Sequence, residues 1–136
     1  MARVVLDTDV ASLSYRGRLP ASLAVQLVGQ EICVTFVTVG ELARWAEKRH
    51  WGTRARTELV DWLGHAVVLP YDQRVAWKWG RLSVQSERRG RTRPINDTWI
   101  AACCLIADLP LATLNLKDFE DFAEHDGLHL IRADKS

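Results

Sequence analysis

The chain has 136 residues, 48% of them hydrophobic and 26% charged, and a net charge of +1. That length fits a single domain spanning residues 1–136, and the apolar content is enough to bury a core, which excludes a disordered or fibrous chain. Its longest apolar stretches, such as Ile100 to Ile106 and Ala66 to Leu69, fall well short of the roughly 20 residues a bilayer span needs, and Met1-Ala2-Arg3 runs straight into a strand without the regions of a signal peptide, so a cytoplasmic protein with no membrane partner is expected.

The run Val4-Val5-Leu6-Asp7 is β-branched and apolar, then stops abruptly on acid, as a buried parallel strand does at its carboxyl end. Arg3 to Asp7 is therefore predicted as a strand and Ile32 to Phe36 as a second, with a helical segment from Pro20 to Val28 between them. Thr38 is the expected N-cap of a helix over Val39 to Arg49, with Glu41 closing a capping box and Gly52 marking the stop. Thr53 to Gly64 reads as another helix. Ala66 to Leu69 reads as a short strand ended by Pro70, and Asp72 as the cap of a long helix running to about Arg89, where Gly90 breaks it. After Pro94, Ile95 to Ala107 has the small and apolar residues of a buried helix. Leu111 to Leu114 is a fourth strand, Asp118 to Glu124 a short helix and Leu128 to Ile131 a fifth strand. Alternating strands and helices predict an α/β fold whose mostly parallel sheet is covered on both faces.

Cys33, Cys103 and Cys104 sit inside apolar runs without metal-site or redox spacing, and read as small core residues. His50, His65, His125 and His129 show no ligand spacing. The charges are unevenly distributed. Between Arg74 and Arg93 seven bases face one acid, Glu87, while from Asn115 onward six acids face three bases. Within the first stretch Arg88, Arg89, Arg91 and Arg93 have two readings, a solvated helix end with its loop or a landing site for RNA phosphates. Of the six tryptophans (Trp45, Trp51, Trp62, Trp77, Trp79 and Trp99), most are expected in the core or in a dimer contact. Trp77 and Trp79 are two apart on a helix and cannot share one face, so at least one is expected to be exposed.

Four isolated acids, Asp7, Glu41, Asp97 and Asp118, stand where apolar segments give way to turns or helices. Singly, each has a structural reading. Asp7 and Asp97 suit helix caps, Glu41 a capping box and Asp118 a first helical turn. Together they lie in four fragments: Val5-Leu6-Asp7-Thr8, Thr38-Val39-Gly40-Glu41-Leu42, Asn96-Asp97-Thr98-Trp99-Ile100-Ala101-Ala102 and Thr113-Leu114-Asn115-Leu116-Lys117-Asp118-Phe119. In order and spacing these resemble the PIN-domain ribonucleases, specifically the VapC toxins of toxin-antitoxin pairs, over nearly the whole chain.

That resemblance implies a three-layer α/β/α domain with a sheet of about five strands and a cluster of acids at one edge. The acids would bind magnesium, or manganese, since clustered carboxylates repel one another unless protonated or neutralised by a hard cation. Asp7 and Asp97 would ligate the metal, Glu41 would orient the metal or its water, and Asp118 would complete the catalytic set, with Asn115 competing for that place. Thr8 and Thr113 would add hydroxyls, and Asp9 replaces the Asn common in relatives. The implied partners are an RNA substrate, a VapB-type antitoxin and a second toxin copy forming a homodimer. Two other readings compete. One is a haloacid-dehalogenase-like phosphotransferase with Asp7 as nucleophile, although Ala11 departs from that motif and no late acidic doublet follows. The other is a non-catalytic domain that binds RNA or antitoxin.

Overall fold

Val4, Val5 and Leu6 are fully buried, because β1 (Arg3–Leu6) has a paired strand on each side. It pairs in parallel with β2 (Glu31–Thr35) on one flank and β4 (Leu111–Ala112) on the other. β3 (Val67–Leu69) extends the sheet beyond β2, and β5 (Leu130–Ile131) extends it beyond β4, giving the all-parallel order β3-β2-β1-β4-β5. The computed structural model describes residues 2–133. Met1 and the last three residues, which include the tail charges Asp134 and Lys135, lie outside them.

Successive side chains of a strand point to opposite faces, and the core divides accordingly. Val5 and Cys33 pack with Leu82, Ile100, Leu111, Phe119 and Phe122, under α5 (Gln73–Arg88), α6 (Ile95–Ala107) and α7 (Leu116–His125). Val4, Leu6 and Val34 pack the other way, with Val10, Leu23, Leu42 and Leu59, under α1 (Thr8–Tyr15), α2 (Ala21–Leu27), α3 (Phe36–Lys48) and α4 (Thr53–Gly64). The result is the expected three-layer α/β/α fold with five strands. Cys33, Cys103 and Cys104 are free thiols in this core, and burial pushes their pKa values up, that of Cys103 to about 12, so they are unreactive packing groups. Among the described residues no helix is long and apolar enough to cross a membrane.

Several boundaries differ from the sequence expectation. The second strand ends at Thr35, and Phe36 opens α3. Thr35 is the N-cap, its hydroxyl accepting from the Thr38 amide at 3.3 Å, so Thr38 lies inside the helix and no capping box forms at Glu41. Strand passes to helix here with no loop, and an unbroken apolar sequence does not mark such a junction. Thr35→Ala is expected to lower stability by about 1 kcal/mol, read as an earlier urea midpoint at unchanged slope. α1 follows β1 at once, capped by Asp7. β4 and β5 are only two residues long, and α7 begins at Leu116 rather than Asp118.

The topology determines where a site can form. From β1 the chain crosses to β2 on one side, whereas β4 lies on the other, so the carboxyl ends of β1 and β4 flank a switch point in the sheet. Asp7 and Thr113 are the first residues past those two ends.

Candidate active site

A cleft of about 190 Å³ opens at this switch point, lined by Asp7, Thr8, Asp9, Glu41, Trp45, Asp97, Asn115 and Asp118. All four acids singled out in the sequence meet here, although they span 111 positions (118 − 7) of the chain. Asp7 directly follows β1, and Glu41, Asp97 and Asp118 lie in the N-terminal halves of α3, α6 and α7.

Asp7 is buried and fixed by both oxygens. Oδ1 accepts from the Val10 amide at 2.9 Å, capping α1, while Oδ2 accepts from the Thr113 hydroxyl at 2.6 Å. The capping role foreseen for Asp7 is therefore real and coexists with its place in the cleft. Thr113 Oγ1 in turn accepts from the Asn115 amide at 2.9 Å, and the Asn115 side chain donates to Asp9 Oδ2. On the opposite wall Thr8 Oγ1 donates to Glu41 Oε1 at 2.6 Å and lies 3.0 Å from Thr38 Oγ1. A hydroxyl has one proton. Since that of Thr8 goes to Glu41, Thr38 must be the donor to Thr8, which gives the chain of three groups a single polarity.

Asp97 is the third residue of α6, past the N-cap position held by Pro94, so it does not cap its helix. Asp118 lies in the first turn of α7, its amide bonded to the Asn115 carbonyl. Among the described residues neither carboxylate has a hydrogen-bond donor or an ion-pair partner. Asn115 and Asp118 both line the cleft, but Asn115 is spent on Asp9 whereas the Asp118 carboxylate is free.

Among the described residues no lysine or arginine lines the cleft, and the electrostatics follow from that. Burial, then the repulsion of Asp118, Asp7, Glu41 and Asp9, pushes the Asp97 carboxyl up from 3.8 to about 7. Burial likewise lifts Asp7 to about 6, against the lowering pull of its bonds to Thr113 and Val10. The donors on offer are carboxylate, hydroxyl and amide oxygens, the set a hard divalent cation takes. Among the described residues no three acids, histidines or cysteines already stand arranged to hold an ion, so a cation would have to draw the side chains together.

The arginines before Asp97 divide between their two readings. Arg89 is not open to phosphate: its guanidinium is held by Asp121, whose side chain is 2% exposed, and by Asp126 at 3.4 Å. Arg91 stands 3.8 Å from Asp121 and 3.9 Å from Glu124. Arg93 donates to the carbonyls of Arg91 at 2.9 Å and Lys117 at 2.7 Å. These three arginines tie the 89–93 segment to α7, Arg89 and Arg91 through Asp121 and Arg93 through the Lys117 carbonyl. Arg88 alone of the four is exposed and without a partner among the described residues. Trp45 packs against the core beside Leu42, as expected of most of the tryptophans, and also lines the cleft, its ring 5.5 Å from the Arg49 guanidinium. Its signal in the sequence was the spacing Glu41 to Trp45, one helical turn on the same face.

Comparison with known proteins agrees with this geometry. The PIN domain family matches residues 4–125. Ribonuclease VapC5 of Mycobacterium tuberculosis is 32% identical over 129 residues, covering 90% of this chain and 87% of the relative. The crystal structure of VapBC-5, a member of the VapBC family of toxin-antitoxin systems from the same organism, superposes with a TM-score of 0.72 at 30% identity, covering 97% of this chain and 99% of that one. VapBC2 of Rickettsia felis, bound to a DNA fragment from its promoter, shares the fold at a TM-score of 0.80 and 19% identity, over 96% of this chain and 98% of that one.

Proposed function

The chain belongs to the PIN-domain family, in its VapC branch, and from that premise we propose that it is a magnesium-dependent endoribonuclease, the toxin of a cytoplasmic toxin-antitoxin pair with a VapB-type antitoxin as its partner. The observation that carries the reading is the cleft itself: five carboxylates with no cation among its lining residues, two of them driven towards neutral pKa values by burial and mutual repulsion. Surface acids paired for stability are not left this way.

In this reading Asp7 and Asp97 hold the ion, and Asp118 completes the acidic rim. Asp7 is suited to that part because Val10 and Thr113 fix its carboxylate before any ligand arrives. Bound there, magnesium (or manganese) would supply a water of lowered pKa and would neutralise charge on the phosphodiester oxygens. Glu41 receives the water's proton on Oε2, since Thr8 occupies and orients Oε1. The water oxygen would attack phosphorus, the bond to the 3′ oxygen would break and that oxygen would take a proton from solvent, so that the products would carry a 5′-phosphate and a 3′-hydroxyl.

The competing readings gain less support. An Asp7 nucleophile has only the Asp7-Thr8-Asp9 run behind it: Ala11 departs from that motif, and the family match over residues 4–125 is to the PIN domain. A binding domain without turnover would tolerate loss of acids, and this cleft retains the full set.

Purified protein incubated with total RNA is expected to generate discrete new 5′-phosphate ends in magnesium and none in chelator. If protein shown to be folded by circular dichroism leaves the ends unchanged in both, the nuclease reading fails.

A further inference from the structure

We infer that the outer face of α5 is a track for single-stranded RNA that leads towards the acidic cleft, an inference that rests on the ribonuclease reading above. Each residue advances an α-helix by about 100°, so positions 74, 77, 78, 81 and 88 fall within one stripe about 100° wide. They are Arg74, Trp77, Lys78, Arg81 and Arg88: four cations and an indole. Glu87, the only acid in the helix, lies on the other side. In a chain of net charge +1 this is a local concentration of positive charge.

Arg74, Trp77, Arg81 and Arg88 are exposed to solvent and Lys78 is half-buried. Trp77 is 77% exposed, whereas Trp79 turns inward and stacks on Trp99 with ring centroids 5.0 Å apart. Shallow grooves of about 550 and 390 Å³ flank Trp77, one lined by Ala76, Gly80 and Arg81, the other by Arg74, Lys78, Arg81 and Ile106. Arg74 shares its charge with Asp72 at 2.9 Å. Lys78, Arg81 and Arg88 have no ion-pair or hydrogen-bond partner among the described residues.

α5 runs antiparallel to α6. Arg74 and Trp77 share a groove with Ile106 near the end of α6, Trp79 meets Trp99, and Ser86 shares a pocket with Ile95 and Thr98 at its start. The stripe therefore runs from the far end of α6 to the end that carries Asp97, a distance of about 14 Å over the nine helical steps from Ile106 to Asp97. A short single strand covers that reach.

The chemistry of the face selects its occupant. Phosphates satisfy the cations at intervals along the helix, and a base stacks on the Trp77 indole. A second copy docking this face on itself about a two-fold axis would set like charges against one another.

The test is fluorescence anisotropy of a short mixed-sequence single-stranded RNA with the full chain in chelator, titrated over salt. Lys78→Ala/Arg81→Ala is expected to weaken binding by about tenfold or more and to flatten the salt slope by about 1.4, at roughly 0.7 for each phosphate that is no longer neutralised. Trp77→Ala is expected to weaken binding by about tenfold at an unchanged slope. In cleavage KM rises with these losses while kcat holds. Arg54→Ala on α4, where the side chain is 94% exposed, is the charge control and binds like the parent.

Parental affinity in the α5 variants overturns the track, and if Asp97→Asn abolishes cleavage the nuclease reading survives that result. Lost affinity in the α5 variants, from a parent that never cuts RNA in magnesium, supports the track and removes the nuclease. A change of oligomeric state in Trp77→Ala with RNA affinity intact assigns the face to a second copy, and polyglutamate competing as well as RNA assigns it to an acidic peptide. Either outcome overturns the inference.

Discussion

Asp97→Asn is expected to lower RNA cleavage by on the order of a thousandfold and, in the same molecule, to make the metal-free protein more stable at pH 8. The two effects have one origin. Asp97 is confined with Asp118, Asp7, Glu41 and Asp9 where no cation offsets them, and its carboxyl is pushed up to about 7. Between the unfolded value near 3.8 and that folded value, the native protein holds a proton that the unfolded chain has already released. Stability from this group therefore falls as pH rises through that window, and by pH 8 the full penalty is present. Asparagine keeps the shape and removes the charge. After allowance for solvent screening the gain is about 1–2 kcal/mol, read as a higher melting temperature in chelator at pH 8 and little change at pH 4. Loss of cleavage with no gain in metal-free stability would mean that Asp97 is not under the repulsion described. Full cleavage would remove it from the reaction.

Asp121→Ala is expected to lower stability at pH 7 by about 2–3 kcal/mol, the largest stability loss anticipated for a single charged side chain here. Asp121 is almost wholly buried on α7. Both of its oxygens take hydrogen bonds from Arg89, and Arg91 and His125 lie within 3.8 Å. Alanine leaves the Arg89 guanidinium, itself only 23% exposed, with Asp126 at 3.4 Å as its remaining partner. Arg89, foremost through its hydrogen bond, holds the Asp121 carboxyl below the usual carboxylate range. A lowered folded pKa contributes stability that is present above the unfolded value and lost as pH falls through the folded one. The gap between parent and variant should accordingly persist at pH 7 and close at pH values below about 4. Urea unfolding at the two pH values measures it, and a variant within about 0.5 kcal/mol of the parent at pH 7 would reduce this cluster to surface decoration.

The sequence was most legible where one physical signal dominated. Thr53–Gly64 and Ile95–Ala107 fall where turn residues and apolar periodicity placed them, and the run ending at Asp7 is the central strand. It was least legible where a side chain has two possible employers. Thr38 has the chemistry of a cap, but Thr35 takes that post and Thr38 donates to Thr8 instead. Arg89 has the chemistry of a phosphate ligand, yet its partners are acids 32 and 37 positions further along, which no local pattern connects to it. The four acids were found through joint spacing, since each alone fits an ordinary helix end. Their convergence needed the strand order, which puts β4 beside β1 across an interval of about a hundred residues.

That pairing also gives the protein a calendar. β1 is made first, but one of its edges waits for β4 near the end of the chain, and the acids arrive in the order Asp7, Glu41, Asp97 and Asp118. Thr113, which pins the first acid, is itself made 106 positions after it. A ribosome thus holds a chain with two of its four acids until Asp97 is made, and without the complete cleft until Asp118 follows. For a protein whose work is to cut RNA, the fold delays its own arming until β4 and α7 have followed the first strand by about a hundred residues.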